Sequence, residues 1–204
     1  MKNKTLLFVI IVLGVAFLFQ NFKCVNTKFQ DGDIIFQTSK SAQSQMLKLV
    51  TKSNLTHCGI IFHKGNELYV CEAVQPVKIT PLKEWINRGE GSKYCVSRLK
   101  QPLTDKQKKN MFVFAKNQIG KNYDLKFEWS SSKMYCSELV WKIYNSVGYK
   151  LCEPKKFKNF DLTSKLAKKT IKQRFGTSIN LDEKVVAPID IFQSEKTKVI
   201  FSNY

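Results

Sequence analysis

An α+β fold is predicted by three observations. Two β-like runs, THCGIIFH (56–63) and ELYVCEAV (67–74), are joined by KGN, a hairpin signal. An amphipathic helical pattern runs over 103–120, and a second one starts beside Cys136. Neighbouring antiparallel strands with helices segregated from them belong to the α+β class. At 204 residues, 43% hydrophobic and 25% charged, the chain suits one globular domain with a real core.

The elements follow in order. GDIIF (32–36) is a short strand after a turn. SAQSQMLKLVTKS (41–53) sets Met46, Leu47 and Val50 at helical spacing, with Ser41 as N-cap. The hairpin comes next, and then PLKEWINRG (81–89), a short helix with proline in its first turn and glycine at its end. KYCVSRL (93–99) is another strand. In LTDKQKKNMFVFAKNQIG (103–120), Thr104 or Asp105 caps a helix. Met111, Phe112, Ala115 and Ile119 form its apolar face, and Gly120 stops it. A polar loop with aromatics, KNYDLKFEWSSSKM, leads into the cysteine helix, about 135–148, closed by Gly148. A basic, helical insert near 153–178 follows, and VVAPIDIFQSEKTKVIF ends the chain as one or two strands.

The net charge of +18 is large. Lys2, Lys4, Lys23 and Lys28 lie in an N-terminal segment without acids, and the body remains strongly basic. Such a field attracts anions. Basic residues are densest from Lys155 to Arg174, where only Asp161 opposes them. This stretch reads as a solvated face or as a contact for an anionic membrane surface. No zinc-finger spacing, RRM-like aromatic motif or helix-turn-helix pattern accompanies it, which argues against nucleic acid.

Residues 1–28 open with two lysines, and the run Leu6–Phe19 has no polar side chain. As helix, that run spans about 21 Å against a ~30 Å hydrocarbon core, and extending it to Phe22 approaches the lower limit of a span. No good small-x-small cleavage site follows, so the segment reads as an uncleaved anchor, with a secretory signal as the alternative. Either places residues 29–204 as the domain on the exported side, in the periplasm or at the cell surface, or secreted if the segment is cleaved. Six cysteines in an exported protein invite a disulfide reading. A body of this size does not need staples, however, and Cys58 and Cys71 sit inside strands, so buried free thiols fit most of them better. No C-x-x-C occurs, and His57, Cys58 and His63 lack zinc-site spacing. Neither metal nor other cofactor is expected.

The chemistry-bearing residues lie around the hairpin and the cysteine helix. Cys136 stands at a loop-to-helix junction, an accessible position where the helix's partial positive charge favours thiolate. The same spacing to Leu139 and Val140 also suits an ordinary core helix, so position alone leaves both readings open. His57 begins its strand with Gly59 two residues on, giving open space on a shared face where the imidazole could meet a helix N-terminus. His63, at a turn, reads as an exposed structural residue. Glu72 is the only acid in LYVCEAV, and a carboxylate among aliphatic neighbours needs a partner. In a paired hairpin that partner is His57, with an edge pairing to lysine as the alternative.

THCGIIF, CEAVQPVKITPLKEW, GKNYDLKFEWSSSKMYCSELVWKIY and the late VVAPIDIF, in this order, resemble the YiiX/YebB-like branch of the NlpC/P60 cysteine hydrolases. The resemblance covers most of 31–200 and implies a circularly permuted papain-like fold, with the histidine strand preceding the cysteine helix. It implies Cys136 as nucleophile, His57 as general base and Glu72 as the residue orienting the base. These are the residues the local argument singles out. The mechanism it implies is thioester formation on an amide of a peptide, a cell-wall peptide or an acylated molecule. Tyr123, Tyr135 and Trp129 are candidate substrate contacts, and Trp129 with Phe127 also fits core packing. Two rival readings are a lipid acyltransferase or lipid hydrolase of the permuted type, and a non-catalytic module binding an anionic surface through 155–174.

Overall fold

A computed structural model describes residues 29–176 and 179–204. Residues 1–28, on which the anchor reading and Cys24 fall, lie outside the described residues. The elements are β1 (Ile34–Ser39), α1 (Ala42–Thr51), β2 (His57–Lys64), β3 (Glu67–Glu72), β4 (Lys78–Pro81), α2 (Leu82–Arg88), β5 (Gly89–Leu99) and α3 (Asp105–Lys116). After these come β6 (Asn122–Tyr123), β7 (Lys133–Met134), α4 (Cys136–Asn145), β8 (Lys155–Lys156), α5 (Lys165–Phe175), β9 (Lys184–Val185), α6 (Pro188–Phe192) and β10 (Thr197–Ser202). One antiparallel sheet in the order β10-β5-β1-β2-β3-β4 carries the fold.

Strand alternation sorts the core into two layers. Ile34, Phe36, Cys58, Ile60, Phe62 and Cys71 pack with Met111 and Ala115 of α3 and with Leu139, Val140, Ile143 and Tyr144 of α4. Ile35, Ile61, Val70 and Val96 pack with Leu82 and Trp85 of α2 on the other face. The central strands are therefore buried on both faces, which is why GDIIF and HCGIIF read as continuous apolar runs. The Tyr144 hydroxyl donates to the Gly32 carbonyl and ties α4 to the turn before β1. A third cluster, formed by Met46 and Val50 of α1 with Phe127, Tyr135, Phe157, Ala167 and Val185, lies where α1 meets α5.

Several local expectations need correction. The helix at 103–120 ends at Lys116, and Gly120, at φ +88°, instead turns the chain so that its N–H donates to the Val77 carbonyl. Of its predicted apolar face, Met111 and Ala115 are buried, whereas Phe112 and Ile119 are exposed, because the sheet covers only a narrow stripe of α3. Thr104 is its cap, accepting from the Gln107 N–H at 3.2 Å. Ser41 occupies the N-cap position of α1 but makes no side-chain cap bond. VVAPIDIF is not simply strand: Lys184–Val185 pair with β8, and Pro188 then starts the short α6, its fixed φ and missing N–H suiting a helix's first turn. Strand β4, within VKITP, was not anticipated.

The space expected beside Gly59 is filled. A Cβ built there would lie 2.5 Å from Val70 Cγ1 and 2.7 Å from the Cys71 carbonyl oxygen. Gly59→Ala should accordingly force β2 and β3 apart and lower unfolding stability by about 1–3 kcal/mol, the usual overpacking range. Urea denaturation would measure this, and an unchanged midpoint would refute the close approach.

Candidate active site

The site begins with a carboxylate that has no access to water. Glu72, the last residue of β3, is fully buried, and its oxygens are all taken by side chains. Its Oε2 lies 2.6 Å from His57 Nε2, Thr80 donates its hydroxyl to Oε1 at 2.6 Å, and Arg88 Nη2 donates to Oε1 at 2.6 Å and Oε2 at 2.5 Å. The β2–β3 hairpin brings His57 and Glu72 together, β4 supplies Thr80, and α2 supplies Arg88. One turn earlier on α2, Trp85 stacks on the imidazole, with ring centroids 5.8 Å apart and planes 24° apart. The histidine is thus held at one ring nitrogen and on one face.

Cys136 is the first residue of α4, and its thiol hydrogen-bonds to His57 and to Cys58. It was expected to be accessible but is buried, because 185–188 and α1 cover the helix start. The thiol's pKa lies well below its ordinary value. The Cys58 thiol donating to it is the main cause, with His57 and the Cys58 backbone N–H adding to it against the opposing effect of burial. Burial by itself would depress His57, yet the hydrogen bonds and charges of Cys136 and Glu72 raise it to about 9. Burial also works to raise Glu72, but His57, Arg88 and Thr80 bring it down to about 2. These shifts favour a thiolate beside an imidazolium, backed by a carboxylate that Arg88 neutralises. Cys58, held up by burial and by its bond to Cys136, stays a thiol.

The helix start is arranged for an anion. The N–H groups of the first helical turn lack intrahelical partners, and the positive end of the helix dipole lies at Cys136. The Glu138 carboxylate accepts from the Tyr135 N–H at 3.3 Å and pairs with Lys142 at 2.6 Å. Burial, only partly offset by Lys142, raises Glu138 to about 7.

Of the remaining candidates, Tyr135 is buried, and its hydroxyl accepts from the Val186 N–H at 3.2 Å. Its ring lines a cavity next to Cys136. Tyr123 and Trp129 do not line that cavity. The Tyr123 hydroxyl accepts from Gln43, and Trp129 packs edge-on against Trp141 with the Lys142 ammonium 5.2 Å above its ring. His63 bonds Asp31, Nδ1 to Oδ1, at 2.7 Å. Arg88, Thr80, Trp85 and Cys58 were missed in the sequence reading. The one available signal was Trp85 and Arg88 three positions apart on a helix following a strand with a buried acid.

Comparison with known proteins places the chain among relatives. The model of the permuted papain-like amidase family of YaeF and YiiX, family C92, matches residues 28–201. The chain is 40% identical to YiiX of Escherichia coli K12 over 201 residues, 98% of this chain and 96% of that protein. The crystal structure of YiiX from Escherichia coli O157:H7, described as a metalloprotein, superposes with a TM-score of 0.84 at 42% identity, covering 87% of this chain and 99% of that one.

Glu72→Gln removes the charge that sustains the imidazolium. With Cys24, Cys71, Cys95 and Cys152 replaced and the Cys58 donor kept, iodoacetamide should alkylate Cys136 at a rate that levels off well below pH 8.5, the free-thiol value. In Glu72→Gln the acid limb of that profile should move upward by a unit or more. A limb that stays in place would show that Glu72 does not support the pair.

Proposed function

The chain belongs to the permuted papain-like amidase family of YaeF and YiiX, and on that premise we propose that it hydrolyses an amide through a thioester at Cys136. The observation that carries this reading is the buried series Cys136–His57–Glu72, with the thiol low and the imidazole high. Cys136 attacks the carbonyl carbon, and the oxyanion is held by N–H groups of the helix start, that of Cys136 among them. The His57 imidazolium protonates the departing amine. As imidazole, it then takes the proton of the water that opens the thioester. Glu72 and Trp85 keep the ring aimed throughout.

Two further points support the wider reading. Lys165, Lys168, Lys169 and Lys172 on α5 make no ion pair among the described residues, whereas Lys156 and Lys158 are held by Asp182. Four free lysines on one helix favour an anionic membrane surface as partner, consistent with an N-terminal anchor. A peptide, cell-wall peptide or acylated molecule remains the substrate range for the amidase chemistry. The metal implied by the described relative finds no matching donors here. Among the described residues no group of three His, Cys, Asp or Glu side chains could hold an ion, and His57 is committed to Glu72 and Cys136.

A panel of acyl and peptidyl amides, read by amine release, tests the proposal. Cys136→Ala should abolish turnover, and His57→Ala should lower kcat by about 10²–10⁴. Neutral hydroxylamine should trap the acyl group from the parent enzyme only. Turnover that survives Cys136→Ala would end the thioester reading. Because the leaving amine needs the imidazolium proton, kcat should fall as pH rises through about 9, the His57 value, while alkylation of the thiolate should not.

A further inference from the structure

Away from Cys136, where α3 and the far end of α4 meet the edge of the sheet, a second cavity of about 320 Å³ opens. Tyr144 forms part of its wall, about two helical turns and roughly 12 Å along α4 from the cysteine. Arg98 of β5, Lys100 just after it, Lys108 of α3 and Lys198 of β10 bring four cations to this one space. We propose that the cavity binds a phosphate group, carried by a free phosphomonoester or by a lipid headgroup.

The charge balance carries the assignment. Two carboxylates also line the cavity, and both are committed. Asp33 is buried and accepts from Arg98 Nε at 2.7 Å, from Arg98 Nη2 at 2.8 Å and from the Gln30 N–H at 2.8 Å. Asp31 Oδ1 accepts from the His63 N–H and lies against His63 Nδ1, both at 2.7 Å. Arg98 and Lys198 stand directly opposite each other in the β5–β10 pairing, a placement in which like charges repel. The Lys100 N–H donates to the Lys196 carbonyl at 2.9 Å, which carries the pairing past β5 and keeps Lys100 on the Arg98 face. Asp33 offsets Arg98 alone. Among the described residues the ammonium groups of Lys100 and Lys198 have no ion-pair or hydrogen-bond partner, and Lys108 meets only the fully exposed carboxylate of Asp105, at 3.5 Å.

Three ammonium groups around one recess select the anion. A carboxylate presents two oxygens and a single charge. A phosphomonoester presents three terminal oxygens and a charge of about −1.5 to −2, so that each lysine can donate to an oxygen of its own. Pro102, Leu103 and Ile200 line the remainder and offer an apolar surface to the carbon arm of an ester. The Tyr144 hydroxyl is already spent on the Gly32 carbonyl, which leaves the lysines as the recognising groups.

Calorimetric titration of the full chain, in neutral detergent, with inorganic phosphate tests the site. At about 0.15 M salt, where attraction between exposed charges is screened beyond about 8 Å, binding should be saturable and one-to-one. Lys100→Gln combined with Lys198→Gln should weaken it about tenfold or more, because hydrogen bonds to a charged group are lost. Both side chains are exposed, so the fold tolerates the change. Lys168→Gln combined with Lys169→Gln on α5 removes the same charge elsewhere and should leave the affinity unchanged. Equal weakening in the two variants, or no saturable heat in the parent, would reduce the effect to diffuse attraction by a basic protein and overturn the site. Glycerol 3-phosphate and dihexanoyl phosphatidic acid then separate the sources. Binding of the lipid ester about tenfold tighter, with the gain lost in the Lys100 and Lys198 variant, identifies a headgroup, and any other ratio with phosphate still bound in the cavity identifies a soluble phosphomonoester. Either source upholds the phosphate site.

Discussion

The burial of Glu72 is the constraint on which the rest of the structure depends. A carboxylate with no water around it persists only if every lone pair is answered, and removing one partner of such a buried pair commonly costs 3–5 kcal/mol. Here three elements answer it: His57 from β2, Thr80 from β4 and Arg88 from α2. The requirement fixes the hairpin register, sets α2 against the sheet and orients the imidazole. Charge is balanced across the group, since Arg88 and the imidazolium offset Glu72 and the thiolate. Each charge is held by another, so the polarity that lowers the thiol's pKa also keeps the site closed to alternative packings.

The helix that carries Cys136 is held as firmly, by different means. Its apolar stripe, Leu139, Val140, Ile143 and Tyr144, is entirely buried against the sheet. This leaves α4 little freedom to slide relative to β2, and the thiol and imidazole keep their separation without any direct covalent tie. Cys58 adds a thiol and a backbone N–H from the strand itself, so β2 contributes both His57 and a donor that lowers the Cys136 pKa.

Much of this was legible in the sequence because it is local. Alternation gave the hairpin, and a lone acid in an aliphatic strand pointed to a buried partner. A cysteine at the head of an apolar helix offered two readings, of which the family resemblance implied one. What escaped was non-local or spatially crowded. Arg88 and Thr80 become partners of Glu72 only after β4 and α2 fold back, and no periodicity announces that. Gly59 looks like open space in a string of letters but is where β3 presses closest on β2. The apolar cavity draws its walls from α1, the 127–135 loop, α5 and 185–188, so no single stretch betrays it. Cys136 seemed accessible because the segments that cover it lie far away in the chain.

The permuted order has a consequence for biosynthesis. A chain made from its N-terminus completes β2, β3 and α2, and with them His57 and the side chains that hold it, well before Cys136 is added. The covering segment 185–188 and the edge strand β10 come last. A ribosome-bound or truncated intermediate therefore lacks either Cys136 or the wall beside it. The buried series Cys136–His57–Glu72 is therefore assembled from the base side first, and its cover is added only when the polypeptide is nearly finished.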